Sequence, residues 1–205
     1  PFRFMHKLLC VLLPATVAVA TAIGSEADVR LRAKLTRMYA DLGVISVPIH
    51  RGGGMHQPEN TLESFEYTWA RNMVPEADIR TTKDDVIVCI HDNTVYRTAP
   101  LAPEKWQKRK IAELTLAELK TLDVGAYRGR PGQRIPTLEE VFAVMARDPR
   151  KFIYLDYKEI SLERLAGMVR RHGIDRQVIF TTNRHDLILA WRKLIPESQT
   201  MIWMG

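Results

Sequence analysis

Residues 74–92 read VPEADIRTTKDDVIVCIHD and residues 152–158 read FIYLDYK. In the first stretch, Val74 to Ile79 is a short β-rich run carrying Glu76 and Asp78. Asp84-Asp85 supplies a turn region, and a second run, Val86 to Ile90, ends in His91-Asp92. In the other stretch, the strand-like run from Phe152 to Tyr157 carries Asp156 near its end, with Lys158 just after it. Residues two apart on a strand share a face. Glu76 and Asp78 are therefore predicted to point the same way, with Asp156 and Lys158 facing them.

Upstream, Val44 to Ile49 is another β-rich run, and His50-Arg51-Gly52-Gly53-Gly54 closes it with a tight, glycine-rich loop. A helix is predicted from Thr61, with Asn60 as its N-cap, Glu63 completing a capping-box-like start, and Leu62, Phe65 and Trp69 as its apolar face. Residues 93 to 135 are long, charged and loop-rich, with one clear helix opened by Thr115-x-x-Glu118. Pro136-Thr137-x-x-Glu140 opens the next helix. Further on come a helix from Ser161 stopped by Gly173, a strand Val178 to Thr181, a helix capped by Asn183, and a strand beginning near Thr200. Strands alternating with helices argue for parallel β/α units wound one way. The fold class is α/β, a TIM-type (β/α)₈ barrel truncated after about six strands. Polar residues then fall at the C-terminal ends of four strands, where such barrels keep their active sites.

The chain has 205 residues, 46% hydrophobic and 26% charged, which excludes disordered and collagen-like classes. Its net charge of +6 includes Arg3 and Lys7, which lie in a segment expected to be removed. The remaining excess suits anionic substrates without demanding nucleic acid. Residues 1–22 read as a signal peptide: Met5-His6-Lys7 gives a basic start, Leu8 to Ala20 is apolar, and Ala20-Thr21-Ala22 fits the small-x-small cleavage pattern. The apolar run is short for a spanning helix, and Pro14 interrupts it. A secreted or periplasmic protein with no stable membrane anchor after cleavage is expected. Residues 23–43 read as an N-terminal helical segment and 44–205 as the barrel domain, incomplete at its C-terminal end. Cleavage removes Cys10 and leaves Cys89, a small core residue on a predicted strand.

Three carboxylates converging on a partly buried site repel one another and need a cation. Hard oxygen ligands suit Mg²⁺ or Ca²⁺. One or two ordinary salt bridges explain the same spacing equally well. His50 and His91 each follow a predicted strand beside the carboxylates and can serve as proton acceptor and donor. Arg51 and Lys158 suit phosphate oxygens.

The stretches HRGGGMHQPENTLESF (50–65) and PEADIRTTKDDVIVCIHDNTVYRTA (75–99), followed by LTLAELKTLDVGAYRG, IPTLEEV and FIYLDYK, resemble the glycerophosphodiester phosphodiesterase family, block by block and in order. The resemblance implies His50 and His91 as the acid/base pair and Glu76, Asp78 and Asp156 as ligands of a divalent metal. It also implies Arg51 and Lys158 as phosphate-binding residues, with Glu59 orienting Arg51 or the metal shell. The implied reaction is hydrolysis of a small-molecule glycerophosphodiester to glycerol 3-phosphate and an alcohol. Asp156 departs from the family's usual Glu, so its shorter side chain reaches less far. Two other readings stay open: a phospholipase D-like lipid hydrolase on the same barrel, and a binding protein that kept the fold without catalysis.

Overall fold

The computed structural model describes residues 45–158 and 160–203, together with Arg30, Arg37 and Asp41. The predicted signal peptide, 1–22, lies outside the described residues. So does most of the 23–43 segment, in which Arg30, Arg37 and Asp41 are helical. In chain order the main elements are β1 (Ile45–Ile49), α1 (Leu62–Trp69), β2 (Met73–Thr81), β3 (Ile87–Cys89), α2 (Glu104–Gln107), α3 (Leu116–Lys120), α4 (Leu138–Met145), β4 (Ile153–Tyr157), α5 (Leu162–His172), β5 (Val178–Thr182), α6 (His185–Leu194) and β6 (Gln199–Ile202).

Five strands pair in parallel in the order β1-β2-β4-β5-β6. Helices join most of them, as a (β/α) barrel requires. Apolar residues on the helix-facing side of the sheet, among them Ala77, Ile79, Leu155 and Phe180, pack with Phe65, Phe142 and Trp191 of the helices in the main core. On the other side Val74, Tyr154 and Ile179 form a smaller cluster with Phe152, just before β4.

The third predicted strand differs in direction. β3 runs antiparallel to β2, with Ile79 opposite Cys89 and Thr81 opposite Ile87. Thr82 N–H donates to the Val86 carbonyl at 2.9 Å, and Asp85 sits at φ 63°, so the chain turns back at once. A parallel crossover needs a dozen residues or more, which this turn lacks. The parallel sheet therefore has five strands among the described residues, and β3 is the arm of a hairpin. Beyond it the charged segment 93–135 is folded: Val95, Ile111, Leu114, Leu119 and Val124 are buried with Val88 and Ile90 in a second core.

Helix starts at Thr115, Thr137 and Ser161 are capped by those side chains, and α5 ends on Gly173 at φ 64°. Two predicted caps move. Thr61, not Asn60, caps α1, accepting from Ser64 N–H at 3.2 Å. Helix α6 begins after Arg184 rather than Asn183, and no side chain caps it. Cys89 is buried, and burial pushes its thiol pKa far up, as suits a core residue.

Candidate active site

β2 and β4 set the centre of the site. Asp78 lies opposite Asp156 and Glu76 opposite Tyr154 in the parallel register. The spacing of two puts Glu76 and Asp78 on one face, and their carboxylate oxygens lie with one from Asp156 within 4.8 Å of one another. Glu76 and Asp78 are only 2% and 1% exposed. The shorter Asp156 side chain thus still joins the cluster.

Both kinds of counter-charge foreseen for the carboxylates bear on this cluster. Lys158 Nζ lies 2.7 Å from Asp156 Oδ2 and 3.3 Å from Asp78 Oδ1, so ordinary salt bridges are present. Glu76 has none among the described residues. Its Oε2 accepts the Arg51 backbone N–H at 2.7 Å, and that neutral donor does not cancel a charge. Burial, then the nearby Asp78 charge, holds the Glu76 carboxyl well above the usual carboxylate range. That buried carboxyl group, with those of Asp78 and Asp156 beside it, is a donor set of hard oxygens that fits Mg²⁺ or Ca²⁺.

The loop after β1 carries His50 and Arg51. Arg51 is at φ 54°, a left-handed conformation uncommon outside glycine, asparagine and aspartate. The loop is pinned by backbone contact: Thr68 Oγ1 donates to the Gly52 carbonyl at 2.8 Å. Gly52 is at φ 91°, and a Cβ there would strike Ser64 Oγ. So held, Arg51 sends Nη1 to Glu59 at 3.1 Å and Nε toward Asp78 Oδ2 at 3.9 Å. Arg51 Nε is buried without a hydrogen-bond partner, an unspent donor directed at the cluster.

His50 is exposed at the rim of the same site. Partial desolvation of its ring, then the charges of Arg51 and His91, hold its pKa below the ordinary imidazole value, against the pull of Asp78 and Glu59. His91 lies just beyond the end of β3. Its Nδ1 lies 2.7 Å from Asp92 Oδ1, and its carbonyl accepts from Arg80 Nε and Nη2 at 2.9 and 2.7 Å.

Three residues do more here than the sequence reading assigned to them. Arg97 grips Glu59 with Nη1 and Nη2 at 2.6 and 2.7 Å and sends Nε to Asp92 Oδ2 at 2.7 Å. Asp92 and Arg97 thereby connect His91 to Glu59 and on to Arg51. Burial pushes the Asp92 carboxyl up, but hydrogen bonds from Arg97 and His91 outweigh it and bring it down to about 2. Burial likewise acts on Glu59 and is outweighed by Arg97 and Arg51, so its pKa is lowered. Asn60 is the third. At φ 54° it turns its amide onto Asp78, donating Nδ2–H to Oδ2 at 2.9 Å and accepting the Asp78 N–H at 3.0 Å. Its tolerance of left-handed backbone, not N-capping, explains asparagine at this position.

The structure thus gathers Glu76, Asp78, Asp156, Lys158 and Arg51 in one cluster, places His50 and His91 at its rim, and sets Glu59 behind Arg51. Acidic, basic and imidazole groups gathered at one end of parallel strands joined by helices are the arrangement of a β/α-barrel site. The chain matches the model of the glycerophosphoryl diester phosphodiesterase family over residues 50–204, and it belongs to that family. It is 31% identical over 156 residues to a glycerophosphodiester phosphodiesterase of Caldanaerobacter subterraneus subsp. tengcongensis, covering 72% of this chain and 61% of that protein. It is 26% identical over 162 residues to a human lysophospholipase D, covering 75% and 49%. The crystal structure of a glycerophosphoryl diester phosphodiesterase from Parabacteroides distasonis has the same fold, with a TM-score of 0.65 at 28% identity, covering 78% of this chain and 55% of that one. The chain spans less than two thirds of the length of each.

Proposed function

We propose that the protein hydrolyses glycerophosphodiesters to glycerol 3-phosphate and an alcohol, with a divalent metal at Glu76, Asp78 and Asp156 and with His50 and His91 as the acid/base pair. The observation that carries this reading is the buried Glu76 carboxyl group, in no ion pair among the described residues, gathered with those of Asp78 and Asp156. When bound, Mg²⁺ or Ca²⁺ would neutralise negative charge on the phosphoryl oxygens. Arg51 Nε and Lys158 Nζ would hold those oxygens from two sides. One histidine takes the proton of the attacking hydroxyl, and the other gives a proton to the departing alkoxide. His50, held below the ordinary imidazole pKa, is mostly neutral near pH 7 and suits the proton-accepting role. Asp92, bonded to His91 Nδ1, fixes that ring and leaves Nε2 for the donating role.

Two imidazoles beside the carboxylates favour catalysis over simple binding, which needs no proton-transfer groups. A lysophospholipase D reading has one specific support: Met55, Tyr96 and Leu101, on the loops after β1 and β3, are 77%, 64% and 83% exposed and would suit an acyl chain. The reading of residues 1–22 as a signal peptide supports placement outside the cytoplasm, and the modest net positive charge supports a small anionic substrate without calling for nucleic acid. Incubation of the full-length protein with glycerophosphocholine and with lysophosphatidylcholine separates these readings. Release of choline and glycerol 3-phosphate from the first is expected. Turnover of the second alone would favour the lipid substrate, and turnover of neither would favour a binding protein.

A further inference from the structure

Just beyond His91 the chain leaves the sheet and comes back to it. Thr94 pairs with Lys110 in an antiparallel bridge, and Ile111 N–H donates to the Asn93 carbonyl at 2.7 Å. Residues 95–109 are therefore a closed excursion whose two ends meet. Asn93 and Lys110 at its base line a cavity of about 570 Å³ together with Lys158, so the excursion rises beside the site.

The excursion is held from within. Ala99 N–H donates to the Val95 carbonyl at 2.8 Å, and Ala102 N–H to the Ala99 carbonyl at 2.9 Å. Gln107 Nε2 donates to the carbonyls of Pro100 and Ala102 at 3.0 and 2.9 Å, which fastens α2 to that turn. Val95, Ala99 and Ala102 are buried in the second core, whereas Tyr96 and Leu101 of the same turn are left exposed to solvent. Lysines stand close by in sequence. Lys105 on α2 and Lys108 just after it are exposed and make no ion pair among the described residues. Lys105 Nζ lies 5.4 Å from the centre of the half-buried Trp106 ring. Two other cations of the excursion are engaged: Arg97 with Glu59 and Asp92, and Arg109 with the Glu113 carbonyl and, at 3.8 Å, with Glu118. Glu104 is the one acid between Thr94 and Lys110.

Exposed apolar and aromatic side chains flanked by uncommitted lysines are what a membrane interface selects. Aromatic rings sit at the level of the headgroups, apolar side chains reach the acyl boundary, and lysines meet acidic headgroups. A second copy of the chain fits less well, because docking patch to patch would set lysine against lysine. We infer that the excursion docks the protein reversibly on an anionic lipid surface, with Tyr96 and Leu101 entering the headgroup region and Lys105 and Lys108 meeting acidic headgroups. Arg97, in the same turn, grips Glu59 and Asp92, so the docked excursion holds the site at that surface.

The test is flotation of the full-length protein with vesicles of phosphatidylcholine alone and of phosphatidylcholine with about a third phosphatidylglycerol. Wild type is compared with Lys105→Gln/Lys108→Gln and with Tyr96→Ser/Leu101→Ser, so that any contribution of residues 1–22 is common to all three. Wild type should bind the anionic vesicles roughly tenfold or more tightly than the neutral ones, and the lysine variant and high salt should each remove that preference. The apolar variant should bind the anionic vesicles roughly tenfold more weakly. Thermal unfolding of each variant confirms that these surface changes leave the fold intact. Equal binding of wild type to both kinds of vesicle, or undiminished binding by the folded variants, would overturn the inference. Self-association that depends on Tyr96 and Leu101, without vesicle binding, would assign the patch to a second copy and overturn it too. Binding is read without turnover, so the result stands apart from the proposed hydrolysis.

Discussion

His91 Nδ1 lies 2.7 Å from Asp92 Oδ1, and the other oxygen of Asp92 takes Arg97 Nε at the same distance. The carboxylate therefore fixes the ring from behind, leaving Nε2 to exchange the proton. Arg97 is itself clamped on Glu59, which holds Arg51. One chain of charge-assisted bonds thus ties the two histidine-bearing loops to each other.

Asp92→Asn removes the charge while keeping the size. The amide can present Nδ2–H to His91 and select the wrong tautomer, as loss of a histidine's carboxylate partner does elsewhere. The expected outcome is a kcat lowered by about tenfold or more, KM within about twofold, and a displaced pH–rate profile, with the circular dichroism spectrum unchanged. Steady-state kinetics across pH checks this. A variant with wild-type kcat and profile would remove Asp92 from any positioning role.

The same network sets a stability trend in acid. Asp92 and Glu59 have folded-state pKa values below their ordinary ones, about 2 for Asp92. A depressed carboxylate stabilises the fold above its unfolded pKa of about 4, and that stability is lost as pH falls toward the folded value. Arg97→Ala should therefore cost about 1–3 kcal/mol near pH 7, discounted for the exposure of Arg97. It should also show a shallower loss of stability than wild type between pH about 4 and 2. Urea unfolding at a series of pH values checks both the offset and its convergence in acid.

Metal binding should release protons. The metal-free Glu76 carboxyl is raised by burial and by Asp78, and a ligand carboxylate must be ionised. Raising the pH empties that carboxyl of its proton, so affinity for Mg²⁺ or Ca²⁺ should rise with pH through the neutral range. Calorimetric titrations in buffers of different ionisation enthalpy should give a positive number of protons released, and Glu76→Gln should abolish the release. Titrations with no buffer dependence would place the metal, if bound, away from Glu76.

Much of the centre was legible in the sequence because strand periodicity is strict. Glu76 and Asp78 share a face because they are two apart, and Asp156 meets Asp78 because parallel register carries matched positions to one level. The direction of β3 was not, since a short apolar run reads alike in either direction and only the tight turn at Asp85 decides it. Asn60 looked like an N-cap because the same side chain serves caps and left-handed backbone equally. Arg97 lies 38 residues from Glu59 in sequence, and no local pattern reports a contact across that distance.

The most direct test of the account is turnover of a glycerophosphodiester by metal-stripped protein, before and after Mg²⁺ or Ca²⁺ is restored, alongside His50→Ala and His91→Ala. The account expects no turnover without metal, recovery when it returns, and a loss of roughly 10²-fold or more in each histidine variant with metal present. Full turnover in the stripped protein, or near-normal turnover in either histidine variant, would contradict it.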